Sequence, residues 1–300
     1  MIFWLLYSQQ RFYMDYDFVN DLLLIKQLLG LTDMALAQAL GVSRSTLNRW
    51  IAGNGITTRL METVYEYAYS KGLRINDIKS QFHKEESENK GSALLFHGAR
   101  FPIEGKVDLA HAKTSNDLGV GFYCGETLEQ SSMYCAGGKE GSVYLFSASF
   151  SGLTQAKLSV DTEWMLAISY FRGRLKGHET NPLLRSIVEK IEGADYVIAP
   201  IADNKMFSLI NNFIDGEITD EQCKHCLSAT NLGNQIVLRS EKAIRKLNPL
   251  ARLYLCASEK NDRLVAREES NRIGNDKVKA ARIKYAGQGK YIDQLLGERL

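Results

Sequence analysis

Proline is scarce, with four residues in 300, and the chain carries neither a fixed-period repeat nor a low-complexity tract. With 45% apolar and 24% charged residues, disorder and collagen-like architectures are excluded. An excess of one charge is also missing: 37 Lys and Arg against 35 Asp and Glu leave +2. No chain-wide cationic field marks a nucleic-acid partner, so any basic face has to be local. Long hydrophobic runs are absent too. The apolar start, residues 1–7, falls short of the roughly 20 residues of a membrane helix, and it lacks the basic flank and cleavage site of a signal peptide. A cytoplasmic chain with no membrane partner is therefore expected. Met14 precedes the first periodic segment and is an alternative start, which leaves residues 1–13 open as an upstream extension. The five cysteines are an odd number without an export signal, so reduced thiols are expected rather than a disulfide framework.

What is present divides the chain. From residue 15 to 82 apolar residues recur at three and four, in Phe18, Leu22, Ile25, Leu28 and Leu29 and again from Met34 to Leu40, which is a helical period. Residues 83–92 contain no apolar side chain and read as a linker. Beyond them short β-type runs (93–96, 142–150, 196–200, 235–239) alternate with helical ones (128–134, 163–171, 182–191, 207–213). The fold class expected is α+β: an all-α domain over 15–83, a linker over 84–92, a mixed domain over 93–257, and a charged helical extension over 258–300.

Within the first domain Gly41, Val42 and Ser43 supply a turn glycine, an apolar residue and a helix-capping hydroxyl, the grammar of a helix-turn-helix. Residues 31–37 with 47–53 resemble the phage-repressor type of helix-turn-helix domain. That resemblance implies a DNA partner read by Arg44, Ser45, Thr46, Asn48 and Arg49, whose donors suit base edges and phosphates. The near-neutral charge of the domain supports the alternative, a module for docking or dimerisation.

Two segments combine small, aromatic and polar residues. In 94–100 an apolar strand ends in His97 and Gly98, where the imidazole is either a structural hydrogen-bonder or a ligand contact beside the glycine backbone. In 117–123 Gly119 and Gly121 let the backbone pass close to something. Tyr123, with Tyr134 on the next helix, is either half-buried core or one wall of a slot for a planar ring. Cys223 and Cys226 form a CxxC without a second ligand pair, so no metal is expected. Gly119 and Gly121 lack the third glycine of a dinucleotide fingerprint.

Taken together, residues 94–100, 119–123 and 131–135 resemble the NAD-binding core of diphtheria-toxin-type ADP-ribosyltransferases, the clan that includes the poly(ADP-ribose) polymerases. The span from 93 to about 247 is similar to a bacterial ADP-ribosyltransferase-like family, with 193–203 as a further matching stretch. The resemblance implies a split β-sheet core and NAD as co-substrate, without a metal. His97 would hold a ribose hydroxyl, the Gly98 backbone would meet the nicotinamide carboxamide, Tyr123 and Tyr134 would sandwich the ring, and Ser131 would bond its amide. In the strand over 234–238 the residue at the catalytic glutamate's place is Gln235. An amide hydrogen-bonds a hydroxyl but is no general base. Chain elongation is thus disfavoured and mono-transfer expected, with Glu126, Glu129 and Glu163 as alternative sources of a carboxylate. The implied activity is NAD-dependent transfer of one ADP-ribose to a protein or nucleic-acid acceptor, in a toxin of a toxin-antitoxin or phage-defence system with an antitoxin protein as possible partner. The alternative is a DNA-binding transcriptional regulator whose C-terminal domain binds NAD or a related nucleotide without catalysis.

Overall fold

The computed structural model describes residues 14–110, 112–229 and 232–297; the possible extension over 1–13 lies outside the described residues. The chain is mixed α and β. It opens with α1 (Phe18–Leu28), α2 (Asp33–Ala39), α3 (Arg44–Ile51), α4 (Thr58–Ser70) and α5 (Ile75–Asn89). Next come β1 (Ala93–Ala99), β2 (Phe122–Gly125), α6 (Leu128–Cys135), β3 (Ser142–Ala148), β4 (Gln155–Lys157), α7 (Thr162–Phe171) and α8 (Pro182–Glu192). The remainder is β5 (Tyr196–Pro200), α9 (Asn204–Ile214), α10 (Asp220–Ser228), β6 (Asn234–Leu238), α11 (Glu241–Ile244), β7 (Leu247–Tyr254), α12 (Ala257–Lys284) and α13 (Ile292–Leu296).

Two compact units result, and their limits differ from the expected domains. The first takes residues up to Lys106, Thr127–Ala148 and Asn248–Ala266; the second takes Val107–Glu126, Ser149–Leu247 and the residues from Arg267 on.

In the first unit side-chain caps set the helix starts: Thr32, Ser43 and Thr57 accept from the backbone N–H groups of Ala35, Thr46 and Leu60 at 3.2, 3.1 and 3.2 Å. The turn between α2 and α3 closes on Gly41 at φ 68°. Leu22, Ile25, Leu36, Leu47, Trp50, Val64 and Tyr65 share one core, which also takes in Tyr254 and Cys256 from the far end of the sequence. Asp21 is buried there but satisfied, taking the Tyr65 hydroxyl and the Lys79 ammonium, the latter at 2.6 Å.

The linker expected over 84–92 is instead helical through Asn89. Helix propagation needs no apolar face once a first turn is anchored; Ile75, Asn76 and Ser80 are buried, and Gln81 to Glu85 and Lys90 to Glu86 bond along the surface at 2.7 Å. The helical region is also fastened to the chain after β7. Glu62 accepts from the Tyr254 hydroxyl (2.6 Å) and the Ala257 N–H (2.8 Å), and Glu66 accepts from Ser258 N (2.5 Å) and Oγ (2.7 Å). Two carboxylates from α4 therefore cap α12, where the helix dipole favours negative charge. Neither 84–92 nor 257 is a limit of either compact unit. In the same unit β1 pairs antiparallel with β3, and β3 is followed at the sheet edge by β7.

In the second unit β4 and β5 are parallel, whereas β5 with β6 and β6 with β2 are antiparallel. Trp164, Met165, Leu166 and Ile168 of α7 are fully buried in its core. The tail is not a mere extension: Ile292 and Leu296 of α13 join that core, and the Leu296 carbonyl accepts from Asn181 Nδ2 at 2.8 Å. Among the described residues no single helix is long and apolar enough to cross a membrane.

Candidate active site

His97 and Gly98 lie on β1, opposite Tyr144 and Val143 of β3. The His97 ring is 6.5 Å from that of Tyr144. Gly98 is required by a close approach: a Cβ there would collide with the Ser131 carbonyl oxygen. Ser131 is buried on α6 and its hydroxyl donates to the Phe96 carbonyl at 2.9 Å. With its one proton committed, that hydroxyl serves any further partner as an acceptor only. Helix α6 is thus seated on β1 at Phe96 and Gly98, and a Thr127–Gln130 capping box starts it. Tyr134 is 57% exposed, with the Arg100 guanidinium 5.0 Å from its ring centroid.

The second unit holds Tyr123 and Gln235. The Tyr123 hydroxyl donates to the Gly119 carbonyl (2.7 Å) and accepts from the Leu118 N–H (3.0 Å). Burial pushes that phenol well above its ordinary pKa, and the ring packs against the core. The close neighbours of the two glycines are parts of the protein itself. A Cβ on Gly119, at φ +75°, would stand 2.8 Å from the Phe171 ring, and one on Gly121 would collide with the Val237 side chain.

Strands β2 and β6 pair Tyr123 with Val237 and Gly125 with Gln235, which puts Tyr123 and Gln235 on one sheet face. Gln235 is buried, and its Nε2 donates to the Pro200 carbonyl (3.1 Å) and to Asp117 Oδ2 (3.4 Å). Asp117 is paired in turn with Arg172, whose Nε donates to Oδ1 at 2.7 Å and whose Nη2 also reaches the Ala202 carbonyl at 3.2 Å. Burial raises the Asp117 carboxyl in spite of that cation. The carboxylate beside Gln235 is therefore Asp117, which sequence reasoning does not single out. Glu126 bonds the Asn234 side chain (3.2 Å), Glu163 pairs with Lys190 (2.6 Å), and Glu129 sits in the first turn of α6. Asp117 opens a segment notable for its glycines, but its partner stands 118 positions away and no local pattern joins them.

His97, Gly98, Ser131 and Tyr134 belong to the first unit, Tyr123 and Gln235 to the second. On α3, also in the first unit, Arg44, Ser45, Asn48 and Arg49 are exposed and Thr46 half-buried, while Leu47 and Trp50 face the core. The Ser45 and Thr46 hydroxyls each lie 2.9 Å from that of Ser43. The five cysteines are buried, and burial pushes the Cys223 and Cys226 thiols up. Among the described residues no three His, Cys, Asp or Glu gather as metal ligands.

Comparison with known families matches residues 93–248 to DUF3990, described as a protein of unknown function. The chain belongs to the DUF3990 family. The DUF3990 span runs from the first residue of β1 into β7, so it includes His97, Tyr123, Asp117 and Gln235 and leaves α1–α5 and α12 outside. No curated protein and no solved structure matches the chain significantly.

Proposed function

We propose that this DUF3990 protein is an NAD-dependent mono-ADP-ribosyltransferase of the cytoplasm. It breaks the glycosidic bond between the ribose and nicotinamide of NAD and joins the ribose carbon to a nucleophile of a protein or nucleic-acid acceptor. Nicotinamide leaves with the bonding electrons, and the acceptor's proton passes to solvent. The observation that carries this reading is the pairing of β2 with β6, which sets Tyr123 and Gln235 on one face, two of the positions that the ADP-ribosyltransferase resemblance assigns to NAD. In the first unit the packing of Gly98 against Ser131 fits the same assignment, since a hydroxyl restricted to accepting suits the N–H of a carboxamide. The amide at 235 is the reason for single transfer, because it cannot deprotonate a growing chain's hydroxyl. A role as a toxin held by an antitoxin partner is the setting in which such an activity, joined to a helix-turn-helix, makes sense.

Purified protein incubated with labelled NAD and a bacterial lysate is expected to release nicotinamide and to label a macromolecular band. Absence of both, with no NAD-induced rise in melting temperature, defeats the proposal. A second reading, a DNA-binding regulator that holds NAD without chemistry, is favoured by Gln235 and by the exposed donors of α3. It predicts NAD binding that outlasts long incubation with no nicotinamide released.

A further inference from the structure

We infer that Asp117, held by Arg172, is a positioning residue that fixes the Gln235 amide with its carbonyl oxygen turned toward the ligand, so that this site is built for glutamine and not for the glutamate it resembles. The inference rests on the NAD reading above and deepens it.

A side-chain amide has two donors on one atom and an acceptor on the other. Both groups facing the Gln235 terminus, the Pro200 carbonyl at 3.1 Å and the Asp117 carboxylate at 3.4 Å, are pure acceptors. Only one orientation of the amide satisfies them, with Nε2 inward. Oε1 is left as an acceptor for a hydroxyl donor, the chemistry of a ribose diol. Asp117 holds this arrangement because Arg172 anchors it: the two side chains are 14% and 18% exposed. Arg172 is itself stacked 4.1 Å over the Phe207 ring and bonded to the Ala202 carbonyl.

A glutamate at position 235 would meet the same two acceptors with none of the donors. It would have to keep its proton to bond Asp117, as two carboxylates sharing a site do. The charged or titratable groups that act on Asp117 and Tyr123 include Arg172 after α7 and Arg239, and Glu126 binds the adjacent Asn234. Arg172 Nε and Nη2 are already bonded to Asp117 and the Ala202 carbonyl, and the Tyr123 hydroxyl donates to the Gly119 carbonyl. Exchanging the two side chains, Asp117→Asn with Gln235→Glu, restores a donor facing a carboxylate and conserves the net charge beside Arg172.

The test measures nicotinamide release from NAD by the full-length chain and by D117N, Q235E and the double variant, from pH 6 to 9, with thermal melts to establish folding. Each single variant is expected to lose about tenfold in kcat, as misoriented groups do. Q235E should lose further activity as pH rises, because its protonated form is the one that fits. The double variant should recover at least about fivefold over Q235E and show a flatter profile. Q235E as active as the parent with a flat pH profile, or a folded double variant no better than Q235E, overturns the positioning role while leaving NAD chemistry intact. A parent chain that neither binds NAD nor releases nicotinamide instead removes the functional reading, and the inference with it.

Discussion

Replacing Gly98 by alanine adds one methyl group at the point where α6 meets β1. The Cβ would collide with the Ser131 carbonyl oxygen, a backbone atom that no rotamer change can move aside. Relief requires α6 to lift from the strand, which stretches the 2.9 Å bond from Ser131 Oγ to the Phe96 carbonyl. Overpacking of this kind costs about 1–3 kcal/mol, and a weakened buried hydrogen bond adds about 1 kcal/mol. A total of about 2–4 kcal/mol corresponds to a fall in Tm on the order of 10 °C for a unit of this size. Gly137→Ala, where an added Cβ meets nothing within 4 Å, is the control. Calorimetry on the two variants and the parent separates loss of packing from a general glycine effect. G98A melting within about 1 °C of the parent would refute the close approach of helix and strand.

Four other outcomes follow from the same structure. Burial holds the Glu259 carboxyl up at about 7, above its ordinary 4.5, despite Arg263 and Asn76. A raised carboxyl contributes stability at low pH that is lost as pH climbs through 7, so Glu259→Gln should be neutral near pH 4 and stabilising by about 3 kcal/mol at pH 8, read from melts across that range. Arg172→Met strands Asp117 without its cation and should cost about 3–5 kcal/mol at pH 8 and progressively less as the pH is lowered, because protonation removes the buried charge, as denaturant unfolding will show. On the proposed function, which gives His97 a ribose hydroxyl to hold, His97→Ala should weaken NAD binding by about tenfold or more in calorimetric titration. Arg49→Ala, on the exposed side of α3, should lower the salt slope of binding to duplex DNA by about 1.

Much of the architecture is readable from periodicity. The helices from α1 to α4 follow the three-and-four spacing of apolar residues, and the turn at Gly41 with its Ser43 cap is visible in composition. The runs at 93–96, 142–150, 196–200 and 235–239 correspond to β1, β3, β5 and β6. Other elements escape for physical reasons. Strand β7 contains Pro249, which is tolerated at a sheet edge where the missing N–H goes unused, and β4 has only three residues. The second half of α5 is a largely solvated helix with no apolar stripe to announce it, whereas the charged helical stretch expected from residue 258 on is met by α12. Of the candidate site, the glycines at 98, 119 and 121 are visible in the chain, but what packs against them is not: the close neighbours are the Ser131 carbonyl, Phe171 and Val237. Asp117 becomes visible only when the chain brings it beside Gln235, because a tertiary hydrogen bond leaves no trace in local spacing.

The clasp of α4 on the segment after β7 bears on how the protein can be dissected. A chain begun at residue 93, where the DUF3990 span starts, would bare the Tyr254 ring and Cys256 to water and strip the opening N–H groups of α12 of Glu62 and Glu66. Trimming the helical front end is then an amputation through a shared interior, and loss of activity in such a fragment would report damage to the remnant before it reported anything about recognition of nucleic acid.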